Sequence, residues 1–453
     1  MPTAIDDRFL ALHPTSSELH AEAEKLFPNG VTHDTRYFDP FGLYVDRAQG
    51  ARKWDVDGNE IVDYVMGHGS LLLGHAHPLL VEAVQEQVGK GTHLGASHRA
   101  EIAWARAVLD LIPSAEKVRF TSSGTEATMM AVRLARAATG RSRLLRLRNH
   151  FHGWNDSVVA GAAIPGGSIT AGGIPNEMAE LVTVVDQHNA AALEQALASQ
   201  EFAAVICEPT GYSMGTGPLE PAVLRMLREQ STATGTILIF DEVVTGFRAS
   251  EGGVQRDVGI VPDLTTLAKI LAGGLPGGAV VGRASLLDQI AIPKGADRSH
   301  AERVAHPGTY NANPLSSVVG TAVLQEIAKG EVVPRANARA RQLTAGMNRA
   351  IRKAEVPGAA YAQASIVHIL LGADVPSPED DLTWNWGSAG PQATVPSTPP
   401  AVLWPFRRAF LNHGVDLIGM IALVSAVHSE ADIDQSIDAF AAALSDLRRD
   451  EVL

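Results

Sequence analysis

Two residues carry the chemistry that the pattern of the chain suggests. Lys269 sits inside an apolar stretch, residues 263–278, and is followed closely by Gly273, Gly274, Gly277 and Gly278. An ammonium group in such surroundings is costly unless it is paired or neutralised, and desolvation lowers the pKa of a lysine. The outcome is a nucleophilic amine able to form an imine with an aldehyde. The glycines suit a close approach of the backbone to something bulky and polar. Upstream, residues 237–240 read Ile-Leu-Ile-Phe and end in Asp241. Such a run suits a strand buried on both faces of a parallel sheet. An acid at its carboxyl end points into the crevice where open α/β sheets bind ligands.

An aspartate at one strand end and a lysine one helix and strand later are what pyridoxal 5'-phosphate (PLP) needs. The lysine holds the aldehyde as an imine, and the carboxylate keeps the pyridine nitrogen protonated so that the ring acts as an electron sink. Taken singly, Lys269 equally suits a side chain that snorkels to solvent, and Asp241 a helix cap or a surface acid. Their pairing favours the cofactor.

The elements that must position this pair follow from an alternation of strands and helices. Residues 117–121 read as a strand. It runs into Ser122-Ser123-Gly124-Thr125-Glu126 and a helix over about 126–138 that ends at Gly140. A strand, a small-residue turn and a helix start make an anion site, or an ordinary N-cap. Residues 144–147 are a further strand, with Phe151 beyond its end placed to stack on a flat ring or to fill the core. Residues 203–207 form a strand ending at Glu208, and residues 219–234 a helix. The centre is therefore a parallel, doubly wound sheet. The Gly- and Ala-rich residues 160–175 suit a mobile active-site loop.

The chain ends are different in character. Residues 1–28 read as a leading helix capped at Ser16 or Ser17. A loop over 31–42 holds Arg36, and a small antiparallel meander spans 43–65 around the turn at 57–59. The loop 67–78 contains His68, His75 and His77, but without cysteine or acidic ligands at the usual spacings no metal site is expected. Helices are expected over 79–88, 101–111 and 315–328. Beyond about residue 330 come a helix (335–353), a strand (365–371) and a Pro-, Ser- and Asp-rich loop (372–400) with Trp384 and Trp386. A helix (402–413), a strand (422–427) and a closing helix (430–447) capped by Ser429 follow. The expected organisation is a small α+β domain formed by residues 1–75 and 329–453 and a large cofactor domain over 76–328.

Composition narrows the function classes. The 453 residues are 45% hydrophobic and 19% charged, as in a soluble globular enzyme. A net charge of −13 with no basic tract argues against nucleic-acid binding. The single cysteine, Cys207, rules out an intrachain disulfide and fits a reducing cytoplasm. The N-terminus has no basic region followed by an apolar one, so no secretory signal is expected. No apolar run approaches the roughly 18–20 residues of a membrane span.

Taken together and in order, Ser123-Gly-Thr-Glu-Ala, Phe151-His-Gly, Glu208-Pro, Asp241-Glu-Val-Val-Thr-Gly-Phe-Arg, Lys269 with its glycines, and Gly308-Thr309 resemble the class III, fold-type I PLP-dependent aminotransferases over nearly the whole chain. The branch they are most similar to is glutamate-1-semialdehyde 2,1-aminomutase and its transaminase relatives. The resemblance implies that Lys269 carries PLP and moves the proton between substrate and cofactor, and that Asp241 partners the pyridine nitrogen. It implies that Val243 and Phe151 pack on the two ring faces, with His152 also among the cofactor contacts. Ser123, Gly124 and Thr125 resemble the phosphate cup, and Glu208 the acid near the ring hydroxyl. Gly308 and Thr309 resemble the segment given to the phosphate by a second subunit, which implies a homodimer with shared sites. Arg36 falls where this branch has an arginine for the substrate carboxylate. Two positions depart from the aminomutase pattern. His68 stands where that enzyme usually has a tryptophan, and the stretch after Gly414-Val lacks its glutamate-containing motif. Both lie where selectivity would be set. The expected activity is therefore a transaminase acting on a small-molecule amino donor and an oxo acceptor. Intramolecular amino transfer by an aminomutase is the alternative, and a PLP-binding protein without turnover is the third reading.

Overall fold

The computed structural model describes residues 3–159, 163–164, 167–168, 172–211, 219–293, 295, 303–373, 375 and 397–453. Two compact units form. One comprises the described parts of Met1–His77 and of the chain from Pro334 on; the other runs from Pro78 to Val333.

The central unit is built on a seven-stranded sheet. Its spatial order is Lys117–Thr121, Gly278–Gly282, Leu264–Ala268, Ile237–Asp241, Phe202–Cys207, Arg143–Leu147 and Val182–Val185. The five strands from Leu264–Ala268 to Val182–Val185 are mutually parallel, whereas Gly278–Gly282 is antiparallel to both its neighbours. Side chains alternate across a strand, so each parallel strand feeds two cores. Leu144, Ala204, Ile206, Ile237 and Ile239 pack with the helix Gly124–Thr139 on one side. Leu145, Val205, Leu238 and Phe240 pack with the helices Ala190–Ala198 and Pro221–Thr234 on the other. Helices on both faces make the doubly wound arrangement.

Two of the seven strands were not anticipated. Val182–Val185 is a run of four β-branched residues that was overlooked, whereas Gly278–Gly282 begins and ends in glycine, which hides its strand pattern. The glycines after Lys269 also do something other than expected. A Cβ on Gly278 would lie 2.3 Å from the Ser123 carbonyl oxygen, and one on Gly273 would lie 2.8 Å from Val319 and Val323. Both positions admit close neighbours of the chain itself.

The terminal unit holds two sheets. Val45–Gln49, Arg52–Asp55 and Glu60–Asp63 form the antiparallel meander, and Val415–Asp416 adds to it in parallel, so both chain ends share one sheet. Gly358–Gln363, Ile366–Leu371 and Ile421–Leu423 form the other; the first of these was not anticipated. The expected leading helix is two helices, Ala4–Leu12 and Pro14–Ala23, because Pro14 starts a new helix where its missing N–H costs nothing. The closing helix, Glu430–Arg449, begins with a capping box between Ser429 and Asp432. Most of the expected mobile loop, 160–175, and of the 372–400 loop with Trp384 and Trp386, lies outside the described residues.

Candidate active site

The site grows from the carboxyl ends of adjacent parallel strands. Asp241 ends its strand and is the register partner of Thr266 on the next, whose Oγ1 donates to Asp241 Oδ1 at 3.0 Å. The Val243 N–H reaches the same oxygen at 3.1 Å. Asp241 Oδ2 takes the Nδ1–H of His152 at 2.7 Å. With three hydrogen bonds on a buried side chain, the carboxylate has one orientation. His152 is buried too. Desolvation pulls its pKa down, against the pull of Asp241, which leaves a neutral ring with its proton on Nδ1.

Lys269 follows the Leu264–Ala268 strand at once. It opens a short 3-10 turn, Lys269–Ala272, from a left-handed backbone with φ 52°. A non-glycine residue held there costs of order 1–3 kcal/mol and persists only where its surroundings fix it. The side chain is partly buried. Desolvation lowers its amine pKa below the ordinary lysine value; Asp241 and Glu208 oppose the shift and Arg248 adds to it.

Glu208, just past Phe202–Cys207, is buried, and its Oε1 accepts the Phe151 N–H at 2.8 Å. This bond ties the loop after Arg143–Leu147 to the end of the neighbouring strand. Phe151 itself is half-buried.

The helix start expected as an anion site lies against the same strand ends. Ser123 caps the helix Gly124–Thr139 by accepting the Glu126 N–H at 3.2 Å. Among the described residues the N–H groups of Gly124 and Thr125 find no acceptor, the normal state of a first helical turn. A Cβ on Gly124 would meet both Val243 methyls at 3.0 Å and the Ala268 Cβ at 3.4 Å. A Cβ on Gly153 would meet Thr125 Oγ1 at 2.5 Å. Two missing side chains thus bring the helix start, Val243 beyond Asp241, Ala268 before Lys269, and the residue after His152 into one cluster.

The remaining expected residues stand elsewhere. Thr309 is exposed on a loop tethered by His93, whose Nε2 bonds the Thr309 carbonyl at 2.6 Å, and by His98, whose Nε2 bonds the Ala312 carbonyl at 3.0 Å. Gly308 approaches Asn311, whose amide a Cβ would meet at 2.2 Å. Arg36 and His68 belong to the terminal unit. Arg36 is exposed, and its Nη1 donates to Thr32 Oγ1 at 2.9 Å. His68 lies in a turn where Met66, Gly67, His68 and Gly69 all have positive φ, and its ring is 5.0 Å from that of His33. Asp63 anchors that turn by accepting the N–H groups of Val65 and Met66, each at 3.1 Å. Asp63 is itself held by Lys53 at 2.9 Å and by His75 at 2.7 Å, so His75 serves a hydrogen bond to this carboxylate. One group elsewhere has metal-type ligand atoms close together, His13, Asp55 and Asp57. Its acids are engaged by the Thr15 and Ser16 amides, His13 and Asn59.

An amine of lowered pKa, a fixed carboxylate on the neighbouring strand, and free helix amides beside both fit a flat, anionic, aldehyde-bearing cofactor. A family model described as Aminotransferase class-III matches residues 34–380. The chain belongs to the class III aminotransferases. It is 35% identical over 442 residues to a glutamate-1-semialdehyde 2,1-aminomutase of Methanopyrus kandleri, covering 96% of this chain and 98% of that protein. It is similar to the crystal structure of an omega-transaminase from Sphaerobacter thermophilus, at 33% identity and a TM-score of 0.85 over 96% of this chain and 98% of the other. It is also similar to a transaminase with PLP bound, at 29% identity and a TM-score of 0.84, with 97% and 99% covered. As a class III aminotransferase this chain is a PLP-dependent enzyme with the fold-type I architecture. No helix among its described residues is long and apolar enough to cross a membrane.

Sequence reasoning passed over Thr266, Ala268 and His150, the last of which accepts the Glu208 N–H on Nδ1 at 2.9 Å. Thr266 and Ala268 take part through strand register and close packing, which leave no composition signal. His150, in the Asn149-His-Phe-His-Gly run, was passed over for its neighbours.

Proposed function

We propose that this class III enzyme is a transaminase that moves an amino group from an amino acid or amine to an oxo acceptor. The observation that carries the reading is the pair formed by Asp241, fixed by Thr266 and His152, and Lys269 at the end of the adjacent strand. When bound, PLP supplies an electrophilic aldehyde and an electron sink. Lys269 Nζ would hold it covalently, and the lowered pKa of this amine suits it to take a proton from the substrate Cα. The Asp241 carboxylate would meet the ring nitrogen. Val243 and Phe151 would take the two ring faces, and Glu208 would stand by the ring hydroxyl. Ser123, Gly124 and Thr125 would hold the phosphate, with Gly308 and Thr309 of a second subunit completing it. Arg36 and His68 receive the substrate carboxylate.

The reading has the enzyme working as a homodimer in the cytoplasm. Support for a second copy comes from Leu79, Leu94, Ile102 and Tyr310, large apolar side chains left 42%, 49%, 51% and 63% exposed on the central unit. A single buried cysteine suits a reducing compartment.

The aminomutase reading keeps the same cofactor contacts and is favoured by the name of the Methanopyrus kandleri relative. His68 and the absence of a glutamate after Gly414 place it second. Half-reactions separate the two. A transaminase loses its visible cofactor band on adding a suitable amino donor alone and recovers it with an oxo acid. An aminomutase isomerises glutamate-1-semialdehyde with no acceptor present. Arg36→Ala should raise KM for amino acids about tenfold while sparing amines that lack a carboxylate. Loss of neither kind, with no donor among amines and amino acids changing the band, would overturn the transaminase reading.

A further inference from the structure

His150 is buried, yet both its ring nitrogens are engaged. Nδ1 accepts the backbone N–H of Glu208 at 2.9 Å, and Nε2 faces Gln187 Oε1 at 2.8 Å. A backbone amide is only ever a donor, so Nδ1 must be bare and Nε2 must carry the proton. That fixes the Gln187 amide with its oxygen toward His150 and its nitrogen toward His188 Nε2, at 3.1 Å. Glu208 then returns the contact: its carboxylate accepts the N–H of Phe151, the residue next to His150. Donation runs one way, from the Phe151 N–H to the Glu208 carboxylate, from the Glu208 N–H to His150 Nδ1, and from His150 Nε2–H to Gln187. The His150 carbonyl is in turn bonded by the buried Arg146 guanidinium. The ring therefore joins the ends of three neighbouring strands, those of Arg143–Leu147, Val182–Val185 and Phe202–Cys207.

We propose that His150 is a positioning residue that aims the Glu208 carboxylate and, through it, the Phe151 ring at the cofactor. The inference rests on the cofactor roles proposed above for Glu208 and Phe151. Burial, reinforced by neighbouring His152, pushes the His150 pKa down to about 3, so the neutral form required by the clip persists at neutral pH. Protonation would put a hydrogen on Nδ1 against the Glu208 N–H and break it.

Two substitutions separate the ring's contacts. His150→Asn places an amide oxygen where Nδ1 stands and keeps the Glu208 bond. His150→Gln reaches Gln187 and loses the Glu208 bond. The Gln variant should lower the half-reaction rate about tenfold to a hundredfold, the scale of an ångström misplacement, and the Asn variant should stay within about threefold. In the apoenzyme, amine-selective modification of Lys269 followed by peptide mass spectrometry supplies a readout free of cofactor. The Glu208 carboxylate raises the Lys269 pKa, so its displacement in the Gln variant should move the pH midpoint down. The Asn variant should not move it. Nitrogen-15 spectra of the unsubstituted protein should show His150 with a bare Nδ1 and a protonated Nε2. A proton on Nδ1, or Asn and Gln variants that behave alike, overturns the inference. Glu208→Gln is the control: if it changes the cofactor spectrum and the Lys269 midpoint while His150→Gln changes neither, the inference fails and the role of Glu208 stands. If Glu208→Gln changes nothing, the role of Glu208 fails.

Discussion

His152 Nδ1 lies 2.7 Å from Asp241 Oδ2, and both side chains are buried. The imidazole holds one carboxylate oxygen while Thr266 and the Val243 amide hold the other. The acid proposed to face the cofactor nitrogen is thus oriented by the protein itself, which is how a protein group tunes a cofactor without reorganising during the reaction.

Asp241→Asn should fold, since an amide oxygen can still accept from His152. It should lose roughly two or more orders of magnitude in rate, each tenfold being about 1.4 kcal/mol of barrier, because a neutral amide cannot sustain a protonated ring nitrogen. Steady-state kinetics with a saturating cofactor supply are the check. A near-normal rate would remove Asp241 from the role.

Gly153→Ala should damage the anion site from behind. Gly153 has φ 87°, and an added Cβ would meet Thr125 Oγ1 at 2.5 Å and Thr125 Cα at 2.8 Å. Backbone strain and overpacking each cost on the order of 1–3 kcal/mol, so the variant should melt lower and release PLP more readily. Thermal unfolding and equilibrium dialysis against free PLP measure the two effects. An unchanged midpoint and unchanged retention would show that the loop moves aside freely.

The places of Lys269, Asp241 and Glu208 at strand ends and of Ser123 at a helix start are legible in the sequence, because each closes or follows a local run whose period and ending carry the signal. An apolar strand that stops at an acid can be read without knowing its neighbours. Thr266, His150 and the Gly124 contact with Val243 depend on which strand lies beside which, and no local pattern encodes that. The glycines after Lys269 are visible, but what they admit is not: they make room for Ser123, Val319 and Val323. The left-handed turn at Met66–Gly69 is likewise hidden, since the Asp63 carboxylate that anchors it is held by Lys53 and His75 from other segments.

Acid should destabilise the protein from above pH 6. His150 and His428 are buried with pKa values pushed down by desolvation to about 3 and about 4. The unfolded chain titrates them near 6.5, so between that value and the folded one it binds more protons than the native state. Their contribution is complete above about pH 6.5 and is eroded as pH falls, by at most about 1.4 kcal/mol per pH unit for each group. Urea unfolding at pH 7.5 and pH 5 should show the loss, and His150→Asn should show less of it. Equal stability at both values in the unsubstituted protein would contradict these burials.

The most direct measurement is borohydride reduction of the PLP-loaded enzyme followed by peptide mapping. Reduction converts the bond between a lysine and the cofactor aldehyde into a stable secondary amine. A single pyridoxyl group should appear on Lys269, and none on the Lys269→Ala variant. The same label on another lysine, or an undiminished label in the Lys269→Ala protein, would contradict the assignment on which this account of the site is built.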